Sequence, residues 1–72
     1  MNKEKTQNED KIFLGYQNGM KVHLTLKDNT FRNGYIKELK AAFFMFVDDV
    51  NGIEPIFFLE LRNVEPYTEE EK

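Results

Sequence analysis

The chain has 72 residues, with ten basic and thirteen acidic side chains, a net charge of −3 and no cysteine. The absence of cysteine excludes disulfide bonds and thiolate metal sites, and the acidic balance excludes the broadly basic surface typical of nucleic-acid-binding proteins. No apolar run reaches the roughly 18 residues that span a membrane, and the first eleven residues are nearly all polar or charged. We therefore expect a single-domain, soluble, cytoplasmic protein without a signal peptide.

The N-terminal segment changes from a charged stretch to an amphipathic one. Ile12, Phe13 and Tyr16 follow one another at helical spacing, and Gly19 is of the residue type that most often ends a helix. This pattern predicts a short helix over residues 8–17, with an extended arm as the alternative.

From residue 21 onward the apolar residues alternate with polar ones. The alternation predicts a half-buried first strand over 21–27, followed by a turn at Asp28 and Asn29. A second strand is expected over 30–40. Gly34 interrupts its alternation, which predicts a bulge or a sharp bend at this position.

The rest of the chain contains two segments without polar interruption. Residues 42–47 are expected to form the third strand, and their continuous apolar character predicts that both of its faces are covered. Asn51-Gly52 is a strong hairpin signal. The fourth strand is expected over 56–61, and Val64 opens a short fifth strand. One helix and five strands predict a mainly β fold, in which a strongly bent antiparallel sheet closes into a small barrel.

The segment from Val22 to Ile36 resembles the first Sm motif. An alternating strand reaches a tight turn, and Gly34 and Ile36 keep the spacing of the motif's bend glycine and the apolar residue that follows it. The chain is similar to Sm-like (LSm/Hfq-type) proteins over residues 12–67. The resemblance implies a barrel domain over this range, preceded by a flexible charged arm at 1–11 and followed by an acidic tail at 68–72.

The sequence departs from the family pattern where the family binds its ligand. Lys40 stands at the position of a family aspartate, and Phe43 lies near that of an asparagine. In one alignment Arg62 falls in the turn that ends the second Sm motif. In the other, closer to the Hfq branch, Arg62 belongs to the last strand, and the Lys-His pair expected near Phe58 and Leu59 is missing.

The resemblance implies a homo-oligomeric ring that binds single-stranded RNA, with Lys40 and Arg62 as the RNA-contacting residues. Basic and aromatic residues also alternate along the second strand, a pattern shared by RNA-binding platforms and by ordinary amphipathic strands. Ring assembly would pair the fourth strand with the fifth strand of the next copy. The interface residues expected from this pairing are Phe57, Phe58, Leu59 and Val64. The alternative is a protein-binding barrel or accessory subunit without nucleic-acid contact.

Catalytic constellations are missing from the sequence. The chain has one histidine, no serine and no cysteine, and its four glycines are scattered. His23 alternates with apolar residues and is expected to be a solvated strand residue, and Asp48-Asp49 is expected to begin a polar loop. We predict a protein that is not an enzyme and needs no metal, cofactor or small-molecule substrate.

Overall fold

The computed structural model describes residues 3–67, and the side chains of residues 8–67. One helix precedes five antiparallel strands that form a single sheet, so the predicted mainly β fold class is confirmed. The predicted acidic tail at 68–72 lies outside the described residues. The elements are α1 (Lys3–Asn18), β1 (Val22–Leu26), β2 (Phe31–Leu39), β3 (Phe43–Asp48), β4 (Gly52–Phe57), a 3₁₀ turn (Phe58–Glu60) and β5 (Leu61–Pro66).

Helix α1 begins at Lys3, earlier than expected, and so includes most of the segment 1–11 that was predicted to be an arm. Its end agrees with the prediction, because Gly19 takes a φ of 62° and the Met20 N–H donates to the Gly15 carbonyl at 3.0 Å. The helix packs on the sheet through Ile12, which is fully buried, and through Gly15.

The strand order is β4-β3-β2-β1-β5, which leaves β4 and β5 as the two edges. These edges do not pair with each other, so the sheet is bent but is not closed into the expected barrel. The 3₁₀ turn connects the two edge strands. The Phe58 N–H donates to the Ala42 carbonyl at 3.0 Å, and the Lys27 N–H donates to the Glu60 carbonyl at 2.8 Å. Each end of the turn is thus tied to a different part of the sheet.

The predicted fourth strand over 56–61 is wrong in its second half. β4 ends at Phe57, and Leu61 already belongs to β5, where it pairs with Leu26 of β1. The 3₁₀ turn between them allows Ile56 and Leu61 both to enter the core, at 2% and 3% exposure. Arg62 therefore lies in the last strand, as in the second of the two alignments.

The core lies on the inner face of the sheet. Phe44 and Phe46 are completely buried there, and buried aromatic side chains of this size each remove about 150–250 Å² from water. Burial along β3 alternates, with Phe43, Met45 and Val47 only half-buried on the outer face. The expectation that both faces of this strand are covered is therefore wrong for the single chain.

Gly34 is needed for a reason other than the predicted bulge. The register of β2 against β3 shifts between Ile36 and Glu38, so the bulge lies at Lys37. At Gly34 the two backbones approach so closely that a Cβ atom would lie 1.8 Å from the Val47 carbonyl oxygen. Only a residue without a side chain fits this contact.

Replacing Gly34 by alanine is expected to lower the free energy of unfolding by at least about 3 kcal/mol, because β2 and β3 must separate to admit the methyl group. Urea denaturation measures the loss. The control is Gly19→Ala, where no atom lies within 4 Å of the Cβ position and only the positive φ is strained; its expected loss is about 1–2 kcal/mol. Equal losses at the two positions would contradict the close-approach argument.

Candidate interaction surfaces at the sheet edges and outer face

The outer edge of β4 has no neighbouring strand among residues 3–67. The Phe58 N–H points toward β3, where it meets Ala42. The alternation of an antiparallel ladder therefore directs the main-chain groups of Ile53, Pro55 and Phe57 away from β3. Pro55 has no N–H to offer at this edge, which fits the preference of proline for the open side of edge strands.

The main-chain groups of β5 also alternate between facing the neighbouring strand and facing outward. The Tyr67 N–H donates to the Lys21 carbonyl at 3.1 Å, so odd-numbered residues near this end face β1, and Val64 and Pro66 face outward. The side chain of Val64 is only 1% exposed, because it belongs to the core. The role expected for Val64 in an interface is therefore restricted to its main-chain N–H and carbonyl.

An apolar groove lies beside this edge, between α1 and β5. It encloses about 340 Å³, and its walls include Leu14, Met20, Val64 and Pro66. Leu14 and Met20 are 51% and 38% exposed, so the groove is open to solvent in the single chain. The edge of β5 is thus bordered by apolar surface on its helix side.

The remaining predicted interface residues follow or end β4. Phe57 is 43% exposed and packs against Phe43 with ring centres 5.2 Å apart, and Leu59 is 69% exposed. Phe58 instead turns toward the core and packs on Phe44 at 5.3 Å. The structure leaves Phe57 and Leu59 available for contact and gives Phe58 mainly a packing role.

A larger apolar surface covers the outer face of β2, β3 and β4. The register places Tyr35, Val47 and Ile53 in one cross-strand row, and Phe43 opposite Phe57 in another. Analysis of the sequence named only Phe57 of this surface as an interface residue, although the unbroken apolar run of the third strand was a signal for the rest. We call it the outer patch, and it consists of Tyr35, Phe43, Met45, Val47, Ile53 and Phe57.

Of the two predicted RNA-contacting residues, Lys40 lies in the loop between β2 and β3, and Arg62 lies in strand β5. Lys40 is exposed after β2, and its ammonium lies 3.0 Å from the Glu38 carboxylate. Arg62 is exposed and donates to the Asn29 side-chain oxygen at 2.6 Å. Both side chains are accessible, but each already has a polar partner within the chain.

Arg32, which follows Phe31 in β2, has more contacts within the chain than Lys40 or Arg62. Arg32 Nε lies 2.7 Å from a Glu54 carboxylate oxygen, and its Nη1 donates to the Phe31 carbonyl at 3.0 Å. His23 stacks on Phe31 with ring centres 5.4 Å apart, and its Nδ1 lies 2.6 Å from the Asn33 side-chain oxygen. These contacts stabilise the start of β2 and leave Arg32 with fewer free donors.

Asp48 is the one buried carboxylate among the described side chains. One of its oxygens accepts the Asn33 N–H at 3.0 Å, and the other accepts the Val50 and Asn51 N–H groups, each at 2.8 Å. Burial raises the pKa of Asp48, but these N–H donors and the nearby Arg32 together lower it further, so the pKa lies below its ordinary value. The carboxylate therefore holds the β3–β4 hairpin against β2.

No family model matches the chain, and no curated protein matches it at a significant level. Within the part of the chain that the structure describes, no group of three or more histidine and acidic side chains could hold a metal ion. No helix in the same part is long and apolar enough to cross a membrane. The functional argument consequently rests on the sheet edges, the outer patch and the two exposed cations.

Replacing Asp48 by asparagine is expected to lower the free energy of unfolding at pH 7 by roughly 2–4 kcal/mol, because buried N–H donors lose an acceptor. A folded-state pKa below the unfolded value of about 3.9 gives stability that is complete well above that pH and is lost as the pH falls through the folded value. The deficit of the variant, measured by denaturation from pH 7 to pH 2, should therefore shrink on acidification.

The matched control is Asp49→Asn. The Asp49 carboxylate is half-exposed and pairs with Lys21 at 2.7 Å, and an exposed ion pair of this kind contributes at most about 1 kcal/mol. A deficit at Asp48 that is as small as at Asp49, or that stays constant with pH, would contradict the assigned role.

Proposed function

We propose that this chain is an Sm-like subunit that assembles into a homo-oligomeric ring. The observation that carries the proposal is the pair of different open edges at the two ends of one sheet. Because the edges differ, pairing β4 of one copy with β5 of the next makes a head-to-tail contact. Such a contact repeats around an axis and ends in a closed ring when the rotation permits.

The pairing would use main-chain groups that the single chain directs outward. Ile53 and Phe57 supply an N–H and a carbonyl each on β4, and Val64 supplies both on β5. Pro55 and Pro66 remove one donor from each edge, so main-chain bonds alone give a short contact. The exposed side chains of Phe57 and Leu59 and the groove beside Val64 would add apolar contact area.

The Sm-like assignment is supported by the motif residues of the first two strands and by the order of one helix and five antiparallel strands. The sheet stays open in the single chain, and unpaired edges are a liability that proteins remove by covering or pairing them. Ring assembly would pair both edges at once, which is the reason for preferring it to a monomeric barrel.

Single-stranded RNA is the ligand that the resemblance implies, with Lys40 and Arg62 as contacts. Their exposure supports this part of the proposal. The alternative, a protein-binding subunit without RNA contact, is favoured by the net charge of −3 and by the partners that Glu38 and Asn29 already provide to the two cations. Repetition around a ring would multiply weak contacts to RNA. The RNA-binding proposal therefore predicts a measurable affinity for single-stranded RNA, and the protein-binding alternative predicts none.

Replacing Phe57 by proline is expected to abolish the ring-sized species in sedimentation velocity. The Phe57 φ of −84° suits proline, and the substitution removes an N–H that points away from β3. The wild type should sediment at several times the 8.6 kDa of one copy.

Phe57→Ala is the matched control, because it removes the same aromatic ring and keeps the N–H. It should retain more of the ring-sized species than the proline variant does. Identical mass distributions for the two variants would show that the edge hydrogen bond has no part in assembly.

Replacing Lys40 and Arg62 together by alanine is expected to weaken the binding of oligouridine and to flatten its salt dependence. Each lost phosphate contact on a single strand should reduce the slope of log K against log salt by about 0.7. Filter binding over a salt series measures both effects.

The control for this variant is Lys11→Ala with Lys37→Ala, which removes the same charge from two other exposed positions. Equal losses in the two double variants would indicate non-specific attraction. No binding by the wild type at low salt would reject RNA as the ligand and leave the protein-binding alternative.

A further inference from the structure

The proposed edge pairing uses the side chain of one residue of the outer patch, Phe57, and leaves the other five side chains unused. Strand addition at β4 and β5 engages main-chain groups in the plane of the sheet, whereas the patch side chains stand on the outer face of β2, β3 and β4. Tyr35 lies on β2, an inner strand with neighbours on both sides. Most of the patch therefore stays exposed in a ring and requires an explanation of its own.

The size of the patch approaches that of a specific interface. Ile53, Tyr35 and Phe57 are 57%, 47% and 43% exposed. At roughly 100 Å² for each of these side chains, and less for the three half-buried ones, the patch exposes on the order of 500 Å². Two such patches in contact would bury about 1,000 Å², which is the lower limit for specific association.

The charge of the patch favours a second copy of the same chain as its partner. A two-fold contact places a surface against itself, so a surface with net charge would repel its own copy. None of the six patch residues carries a charge at neutral pH. At the margin Glu38 lies opposite Met45, and its charge is balanced by Lys40 at 3.0 Å.

We infer that the outer patch is a face-to-face contact between two copies of this chain, related by a two-fold axis. The two outer faces pack as in a β-sandwich, about 10 Å apart, with their apolar side chains interdigitated. Combined with edge pairing, this contact joins two rings by their outer faces. It does not require the ring, since two single copies present the same surfaces.

The test is the mass in solution of Tyr35→Glu, measured by sedimentation velocity alongside circular dichroism to verify the fold. Two facing carboxylates repel, so the variant is expected to sediment at half the mass of the wild type. Phe31→Glu is the control, because Phe31 is on the same strand, is 59% exposed and lies outside the patch. Its mass should equal that of the wild type.

A second measurement separates interface loss from damage to the fold. An equimolar mixture of Tyr35→Glu and Tyr35→Lys should recover more of the wild-type mass than either variant alone, because opposite charges then meet across the contact. A mixture that recovers no mass, or an unchanged mass for Tyr35→Glu, would overturn the inference.

Tyr35→Glu shows which of the two contacts has failed, because Tyr35 takes no part in edge pairing, whereas Phe57 belongs to both surfaces. If both contacts hold, Tyr35→Glu should leave a ring-sized species of half the wild-type mass, and Tyr35→Glu combined with Phe57→Pro should leave monomer. A two-copy species with no larger assembly in the wild type would reject the ring and retain the face contact. A wild type that is monomeric at millimolar concentration would reject both.

Discussion

The contact between Gly34 and the Val47 carbonyl sets the register on which the other surfaces depend. It allows β2 to approach β3 closely enough for Gly34 to pair with Asp48 and for Ile36 to pair with Phe46. A slip of one residue would exchange the inner and outer faces of a strand. The same register brings the Asp48 carboxylate to the Asn33 N–H, so that one side chain ties the hairpin to β2.

The two prolines of the chain have a common structural role. Ladder alternation directs the nitrogens of Pro55 and Pro66 outward, one on each open edge, where the missing N–H does not interrupt a bond within the sheet. Edges with few donors are poor templates for uncontrolled pairing. A specific contact at these edges must therefore draw on side chains as well, and the apolar surfaces around Phe57 and Val64 lie in the right places to contribute.

Charge and apolar surface are distributed differently over the molecule. Arg32 is held by Glu54 near one end of the sheet, and Lys21 is held by Asp49 and lies 4.3 Å from the centre of the Tyr67 ring. These cations stabilise the fold and are less available to an anionic ligand. The outer patch, in contrast, consists of apolar side chains and has no partner within the described residues.

The sequence by itself determined the elements whose pattern is local. The alternation of the first strand, the helix end at Gly19 and the hairpin at Gly52, with its φ of 78°, all depend on near neighbours. The helix also shows the limit of prediction from local pattern, because it begins at Lys3, five residues before its predicted start at residue 8. Boundaries of this kind depend on tertiary contacts as well as on local pattern.

Only the tertiary structure decided which face of an unbroken apolar segment is covered. Residues 42–47 and 56–59 have no periodicity from which to distinguish an inner face. The end of β4 before Phe58 follows from Ile56 and Leu61 both reaching one core. Val64 was expected at an interface and lies in the core, because its partner in the sheet is Leu24. Which side chains of a strand are buried depends on the strands that it pairs with. Such pairings join residues that are far apart in the chain.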